Sequence, residues 1–160
     1  MIDLLSQSYN VTALFYNPNI QPEQEYTLRL REMKRLCGLL NTDLIISDYD
    51  TDAWISATRG LEQEREGGRR CSVCFELRLR KSAEFAVQQG FDLFTTTLSV
   101  SPHKDADLIN SLGGRVAEHA GIQFLEGDFK KNNGFKKSCE LSRKYGLYRQ
   151  KYCGCSFARS

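Results

Sequence analysis

The residues of this 160-residue chain with the most chemistry in them are its six cysteines, four of which form two tight pairs, Cys71-Ser72-Val73-Cys74 and Cys153-Gly154-Cys155. The first pair follows Arg69 and Arg70 at what reads as the first turn of a long helix. Positions i and i+3 share a helical face, and the unpaired N–H groups of a first turn favour thiolate over thiol. Such a face suits a soft metal centre or thiol chemistry. Four readings stay open: iron–sulfur ligation, zinc ligation, a dithiol redox pair, or two buried cysteines acting as small apolar residues. Together with Cys153 and Cys155 the pair would supply four sulfurs for a tetrahedral zinc site, although a C-x-C spacing is cramped and no histidine accompanies either pair. A thioredoxin-type role lacks its context, a C-x-x-C just after a first strand. Cluster ligation fits best, yet a four-iron cluster usually draws more than two ligands from its main motif.

His103 follows Pro102 in a loop and precedes Lys104, a place from which an imidazole can donate a proton or touch a phosphate. His119 lies inside a helical pattern and reads as structural. Cys37 and Cys139 sit on helical patterns with no second cysteine nearby and read as filler. There is no phosphate-binding glycine loop of Walker or dinucleotide type, and no nucleophile-elbow sequence for serine hydrolysis.

The elements that must position these groups alternate. A helix tail over Ile2–Ser8 precedes an apolar strand at Val11–Phe15, and Pro22 opens a helix from Glu23 to Leu39 with Tyr26, Leu30, Met33 and Cys37 on one face. A strand at Asp43–Ser47, an acidic loop at Asp48–Asp52 and a short helix over Ala53–Leu61 carrying Trp54 come next. The cysteine helix runs from Cys71 to Gln89 and is stopped by Gly90. A strand at Phe91–Thr96, a helix over Asp105–Ala120, a strand at Ile122–Leu125 and a short helix around Cys139–Tyr145 complete the order. Apolar strands, intervening helices and short connections predict an α/β domain with a parallel sheet flanked by helices and a basic C-terminal helical and loop extension. Ligands of such sheets gather beyond the C-terminal strand edge, where the loops Tyr16–Ile20, Asp48–Asp52 and Leu98–Lys104 would meet.

The length suits one domain with its own core. Net charge is only +2, but from Asp128 to Ser160 nine Lys or Arg stand against two acidic residues. Phe135, Tyr145, Tyr148 and Tyr152 interleave with those cations, a pattern suited to single-stranded RNA, the alternative being a polar tail docked by its tyrosines. No run approaches a membrane span, and the first residues lack the basic flank and apolar core of a signal peptide, so a cytoplasmic protein without membrane partners is expected. There, cysteines serve as metal ligands or redox groups more often than as structural disulfides.

Several motifs in order complete the pattern: Tyr16-Asn17-Pro18-Asn19-Ile20, Arg70 to Arg78, Thr96-Thr97-Leu98-Ser99-Val100-Ser101-Pro102-His103-Lys104, Asp128-Phe129-Lys130 and Tyr148 to Cys155. With them the chain resembles epoxyqueuosine reductases of the QueH type over nearly its whole length. The resemblance implies a HUP-like, Rossmann-related domain over residues 1–160. It also implies reduction of epoxyqueuosine to queuosine at the wobble position of a tRNA with a GUN-type anticodon, using a 4Fe-4S cluster with an iron ion beside it and an electron donor not identified by the sequence. On that resemblance Cys71 and Cys74 are cluster-side ligands, and Tyr16, Asn17, Asn19, Thr97, Ser101 and Lys104 line the substrate pocket. His103 is the proton donor, and Cys153 and Cys155 form a disulfide or redox pair.

In one respect the chain departs from the family pattern, which has a strand ending in Cys-Cys-x-Pro-Cys ahead of the helix that opens this sequence. On that reading Met1 falls inside the family's domain, a central strand and half of the cluster ligands are not among the 160 residues, and two sheet edges are left unmatched. The competing expectation is a catalytically silent remnant that binds tRNA, or binds zinc through Cys71, Cys74, Cys153 and Cys155.

Overall fold

A computed structural model describes residues 1–158; Arg159 and Ser160, the end of the basic stretch, lie outside the described residues. The order is α1 (Ile2–Leu5), β1 (Thr12–Phe15), α2 (Glu23–Leu40), β2 (Asp43–Ile46), α3 (Thr51–Ala57), α4 (Arg69–Gln88), β3 (Leu93–Phe94), a 3-10 turn at Leu98–Val100, α5 (Ala106–Ala120), β4 (Gln123–Phe124), α6 (Gly134–Lys144) and a 3-10 turn at Ser156–Ala158. The expected α/β alternation is present. All pairing is parallel: Thr12 to Phe15 of β1 lie against Asp43 to Ile46 of β2, and Leu93 and Phe94 of β3 against Gln123 and Phe124 of β4.

The single continuous sheet expected from the sequence is not formed. The described strands make two separate two-stranded sheets, β1–β2 and β3–β4. Strands of two residues carry too few ladder bonds to extend a sheet on their own. Helix boundaries also move, and α3 spans Thr51–Ala57 where Ala53–Leu61 was expected. Cys71 is the third residue of α4, not the first, and α6 begins at Gly134, so Phe135 to Lys137, expected before the helix, belong to its first turn.

α2 gathers Tyr26, Leu30 and Met33 on one face against Phe15, Ile20, Leu44 and Tyr49. Glu23 and Glu25 favour its N-terminus by charge, and Asn41 ends it in the left-handed conformation. The largest core lies where α4 packs on α5: Phe75, Leu79, Ala83 and Ala86 recur at helical spacing against Ile109, Leu112 and Val116, with Phe94 and Leu98 closing it. Asp105 caps α5 by accepting from the N–H groups of Asp107 and Leu108 at 3.0 and 3.1 Å. Gly90 (φ +72°) follows the end of α4 and Gly121 (φ +70°) ends α5, both in the region that favours glycine. This two-helix block is the platform on which the first cysteine pair rides.

Candidate functional site

The N-terminal turn of α4 is built by its own approach loop. Arg70 is buried, 2% exposed, and its Nη1 donates to the carbonyls of Leu61 at 3.1 Å, Glu62 at 2.9 Å and Glu64. Glu64 Oε2 in turn accepts from the Arg69 N–H at 3.2 Å, taking one donor of the otherwise uncapped first turn. The loop thus tied down ends in Gly67, whose N–H donates to Cys71 Sγ at 3.2 Å. Cys71 is half-buried, whereas Cys74, on the same helical face, is buried in a third apolar cluster with Trp54 and Cys155.

Around Cys74, cationic groups oppose the effect of enclosure. Burial pushes its thiol pKa up, and the positive charges of Arg78 and Lys104 draw it down. Arg78 lies one turn further along α4, and its Nη2 donates to Asn17 Oδ1 at 2.8 Å. Tyr16 is buried next to this group; burial first, then the carboxylates of Asp50 and Glu84, raise its pKa and keep its hydroxyl protonated. Lys104 places its ammonium 5.2 Å over the Phe75 ring.

The second cysteine pair, distant in sequence, packs on the same cluster. All six cysteines are free thiols, so the expected Cys153–Cys155 disulfide is not formed in this structure. The two sulfurs act on one another. A hydrogen bond from the Cys155 side chain, with the Cys155 N–H at 3.5 Å and Lys104 nearby, outweighs burial and lowers the Cys153 thiol to about 6, while Cys155 is pushed up as the partner that keeps its proton.

Of the residues expected from sequence, Cys74, Cys153, Cys155, Tyr16, Asn17, Asn19 and Lys104 therefore share one neighbourhood, with Cys71 at its edge. Thr97 and His103 are exposed, and Ser101 is half-buried, its Oγ accepting from the His103 N–H at 3.4 Å. Sequence reasoning missed Arg78 and Arg29. Arg78 closes the Arg70–Arg78 motif, four residues after Cys74, the spacing that puts it on the same face.

The family model for "Epoxyqueuosine reductase QueH" matches residues 1–160. The chain belongs to the QueH family. An epoxyqueuosine reductase QueH of Streptococcus pyogenes serotype M1 is 40% identical over 98% of this chain and 64% of its own length. The QueH of Acinetobacter baylyi is 37% identical over 99% of the chain and 73% of its own length, and that of Thermotoga maritima 33% identical over 98% and 84%. The chain thus spans just under two thirds of the length of the S. pyogenes QueH.

For a QueH-family chain the question is whether these residues fit an iron–sulfur cluster. Two sulfurs on one helical face suit two corners of one, and Asn19 Oδ1 and Arg78 Nε are buried beside the thiols without hydrogen-bond partners, as groups facing a bound polar species would be. Among the described residues, however, no group of three or more His, Cys, Asp or Glu is arranged to hold a metal ion. No closed set of cluster ligands is present among the described residues. Cys153 and Cys155 pack in the cluster of Cys74, and among the described residues the four cysteines form no metal-holding group.

The basic extension divides in two. Lys130 and Lys131 are paired with Asp128 at 3.0 and 3.5 Å, and Lys130 also donates to the Lys104 carbonyl at 3.2 Å. Lys136, Lys137, Arg143 and Lys144 on α6 are exposed and carry no ion pair among the described residues. Phe135 is exposed under the Arg149 guanidinium, 5.7 Å from its ring centre. Tyr148 and Tyr152 are instead docked on α2 and its preceding loop, through Glu25 and the Gln21 carbonyl. No helix is long and apolar enough to cross a membrane among the described residues.

Proposed function

We propose that this chain carries the thiol-bearing part of an epoxyqueuosine reductase acting on the wobble nucleotide of a tRNA with a GUN-type anticodon, in the cytoplasm. The observation that carries the reading is the family match along all 160 residues to chains named for that activity, in a chain whose two cysteine pairs share one charged neighbourhood. We take the fold to be the two halves of a HUP-like sheet.

Deoxygenation of an epoxide to an alkene consumes two electrons and two protons and releases water. In this proposal Cys71 and Cys74 would be two of the thiolates holding a 4Fe-4S cluster, which together with an iron ion would supply the electrons from an external donor when bound. The chain's own residues do the rest. Tyr16, held neutral, and Asn17 and Asn19 offer hydrogen bonds to the modified base and its cyclopentane oxygens, and Lys104 supplies the cation that offsets anionic sulfur. Thr97 and Ser101 line the rim, and His103, free in solvent at that rim, delivers a proton. Cys153 and Cys155 stand by as a thiol pair. The exposed cations of α6 hold the tRNA backbone.

The test is anaerobic incubation of the chain with iron, sulfide and dithionite, followed by nucleoside analysis of tRNA carrying epoxyqueuosine. Queuosine formation that disappears with Cys71→Ser supports the reading. Turnover that is indifferent to Cys71 and Cys74 would sink it.

A further inference from the structure

One buried cation has no part in the chemistry above. Arg29 of α2 is only 8% exposed, and its Nε is fixed by Glu25 Oε1 at 2.8 Å in an i, i+4 pair that is itself largely buried. The rest of the fork is aimed not at a carboxylate but at backbone: Nη1 donates to the Cys153 carbonyl and Nη2 to the Tyr152 carbonyl, each at 3.0 Å. The guanidinium also lies 5.2 Å over the Tyr152 ring. Asn19 Nδ2 is a second donor to the Cys153 carbonyl at 3.4 Å, the Gln21 N–H holds the Gly154 carbonyl at 2.8 Å, and Tyr152 returns its hydroxyl to the Gln21 carbonyl at 2.6 Å. Three successive carbonyls are therefore gripped in a segment with no helix or strand of its own. With its carbonyls held by this many buried donors, the backbone that carries the two sulfurs has little freedom left.

We propose that Arg29 is a positioning residue for the Cys153-Gly154-Cys155 pair: anchored by Glu25, it holds the Tyr152 and Cys153 carbonyls so that both thiols are presented together at the wall formed by Cys74 and Trp54. The reading of this neighbourhood as the reducing site supplies the purpose of the pair. The grip itself is testable without substrate, so the two can fail separately. Presenting two thiols together raises their effective concentration for one another.

The measurable consequence is the equilibrium with glutathione disulfide. Cys153 and Cys155 lose two electrons and form an S–S bond, the glutathione disulfide bond breaks, and the two protons end on the two glutathione thiols. The full chain is equilibrated in glutathione buffers, quenched in acid, alkylated, and read by the mass of the peptide that carries both cysteines. Arg29→Gln is expected to lower the equilibrium constant for disulfide formation roughly tenfold, the size of one charge-assisted hydrogen bond. Arg29→Lys, which keeps the charge but not the planar fork that reaches both carbonyls, should lower it about threefold on the same scale. A constant within about twofold of the parent in Arg29→Gln, with circular dichroism and melting preserved, would overturn the proposal. Should Arg29→Gln fail to fold, Arg29→Lys and Glu25→Gln carry the test, and unchanged constants in both would overturn it equally.

Discussion

The two cysteine pairs are positioned by opposite means. Cys71 and Cys74 are held by the helix that contains them, whose inner face is sunk into the Phe75–Leu79–Ile109 core. Cys153 and Cys155 sit in a segment without regular structure, gripped at its carbonyls by the Arg29 side chain, far away in sequence. A helix fixes a spacing through backbone bonds made locally, so its precision survives most single substitutions. A grip of a few side-chain bonds concentrates the same task in Arg29, supported by Asn19 and Glu25, and a single substitution of Arg29 should act mainly on the second pair.

The largest effects should separate the platform from the arm, the C-terminal segment 145–158 that follows α6. Leu79→Ala, beneath the first pair and 1% exposed, is expected to cost about 2–5 kcal/mol of global stability in urea unfolding. Phe157→Ala in the arm, where the ring stacks 6.0 Å from Trp54, should cost the global transition about 1 kcal/mol while exposing Cys74 to thiol reagents. Equal losses in both would mean that arm and platform unfold as one unit and that the contrast is wrong. Next comes ligation. Outer partners of metal ligands are worth 10- to 100-fold in affinity, so Cys71→Ser should reduce iron bound after reconstitution by roughly 100-fold or more, whereas Cys153→Ser should leave it within about threefold. Iron retained by Cys71→Ser would remove the ligand role from Cys71.

The basic helix offers a smaller and more graded contrast. Replacing Lys136, Lys137, Arg143 and Lys144 by alanine should weaken tRNA binding about tenfold and flatten its salt dependence by ~0.7 to 0.9 for each phosphate no longer neutralised. Replacing Lys130 and Lys131, which already serve Asp128, should change the salt slope far less. Filter binding across a salt series decides it, and equal slopes for the two sets would mean that the ion pairs open on binding.

What the sequence disclosed divides along the same line. The i, i+3 spacing of Cys71 and Cys74, the apolar periodicity of α2 and the glycine past α4 are local signals, and most helices appear within a few residues of their expected bounds. Sheet continuity was not legible, because strand pairing depends on partners distant in sequence, and β3 and β4 shrink to two residues each. Arg29 was invisible for the same reason. On its own helix it is one charge among several at i, i+4 from a glutamate, and only the folded arm turns it into a donor to Tyr152 and Cys153. The tyrosines of the arm read equally well as stacking platforms or as anchors. Tyr148 and Tyr152 proved to be anchors because Glu25 and the Gln21 carbonyl lie beneath them.

The smallest change, one proton, tests the comparison most closely. Cys153 is lowered from the ordinary thiol value of 9.0 to about 6, first by the Cys155 side chain, whereas burial raises Cys74 and Cys155 is raised as the proton keeper. A lowered thiol adds stability that is fully present above pH 9.0 and is lost as the pH falls through about 6. The raised partner withdraws stability as the pH rises through the ordinary thiol range, so melting temperatures average the two and site-resolved labelling does not. Brief iodoacetamide pulses between about pH 5 and pH 9, read by peptide mass, should therefore modify Cys153 with a midpoint near 6 and leave Cys74 and Cys155 largely unmodified at about pH 7. The same pulses on Arg29→Gln should move the Cys153 midpoint upward, because a loosened turn no longer keeps the Cys155 thiol within hydrogen-bonding reach. Identical profiles for Cys74 and Cys153 would mean that the arm makes no distinction between its sulfurs and those of the helix.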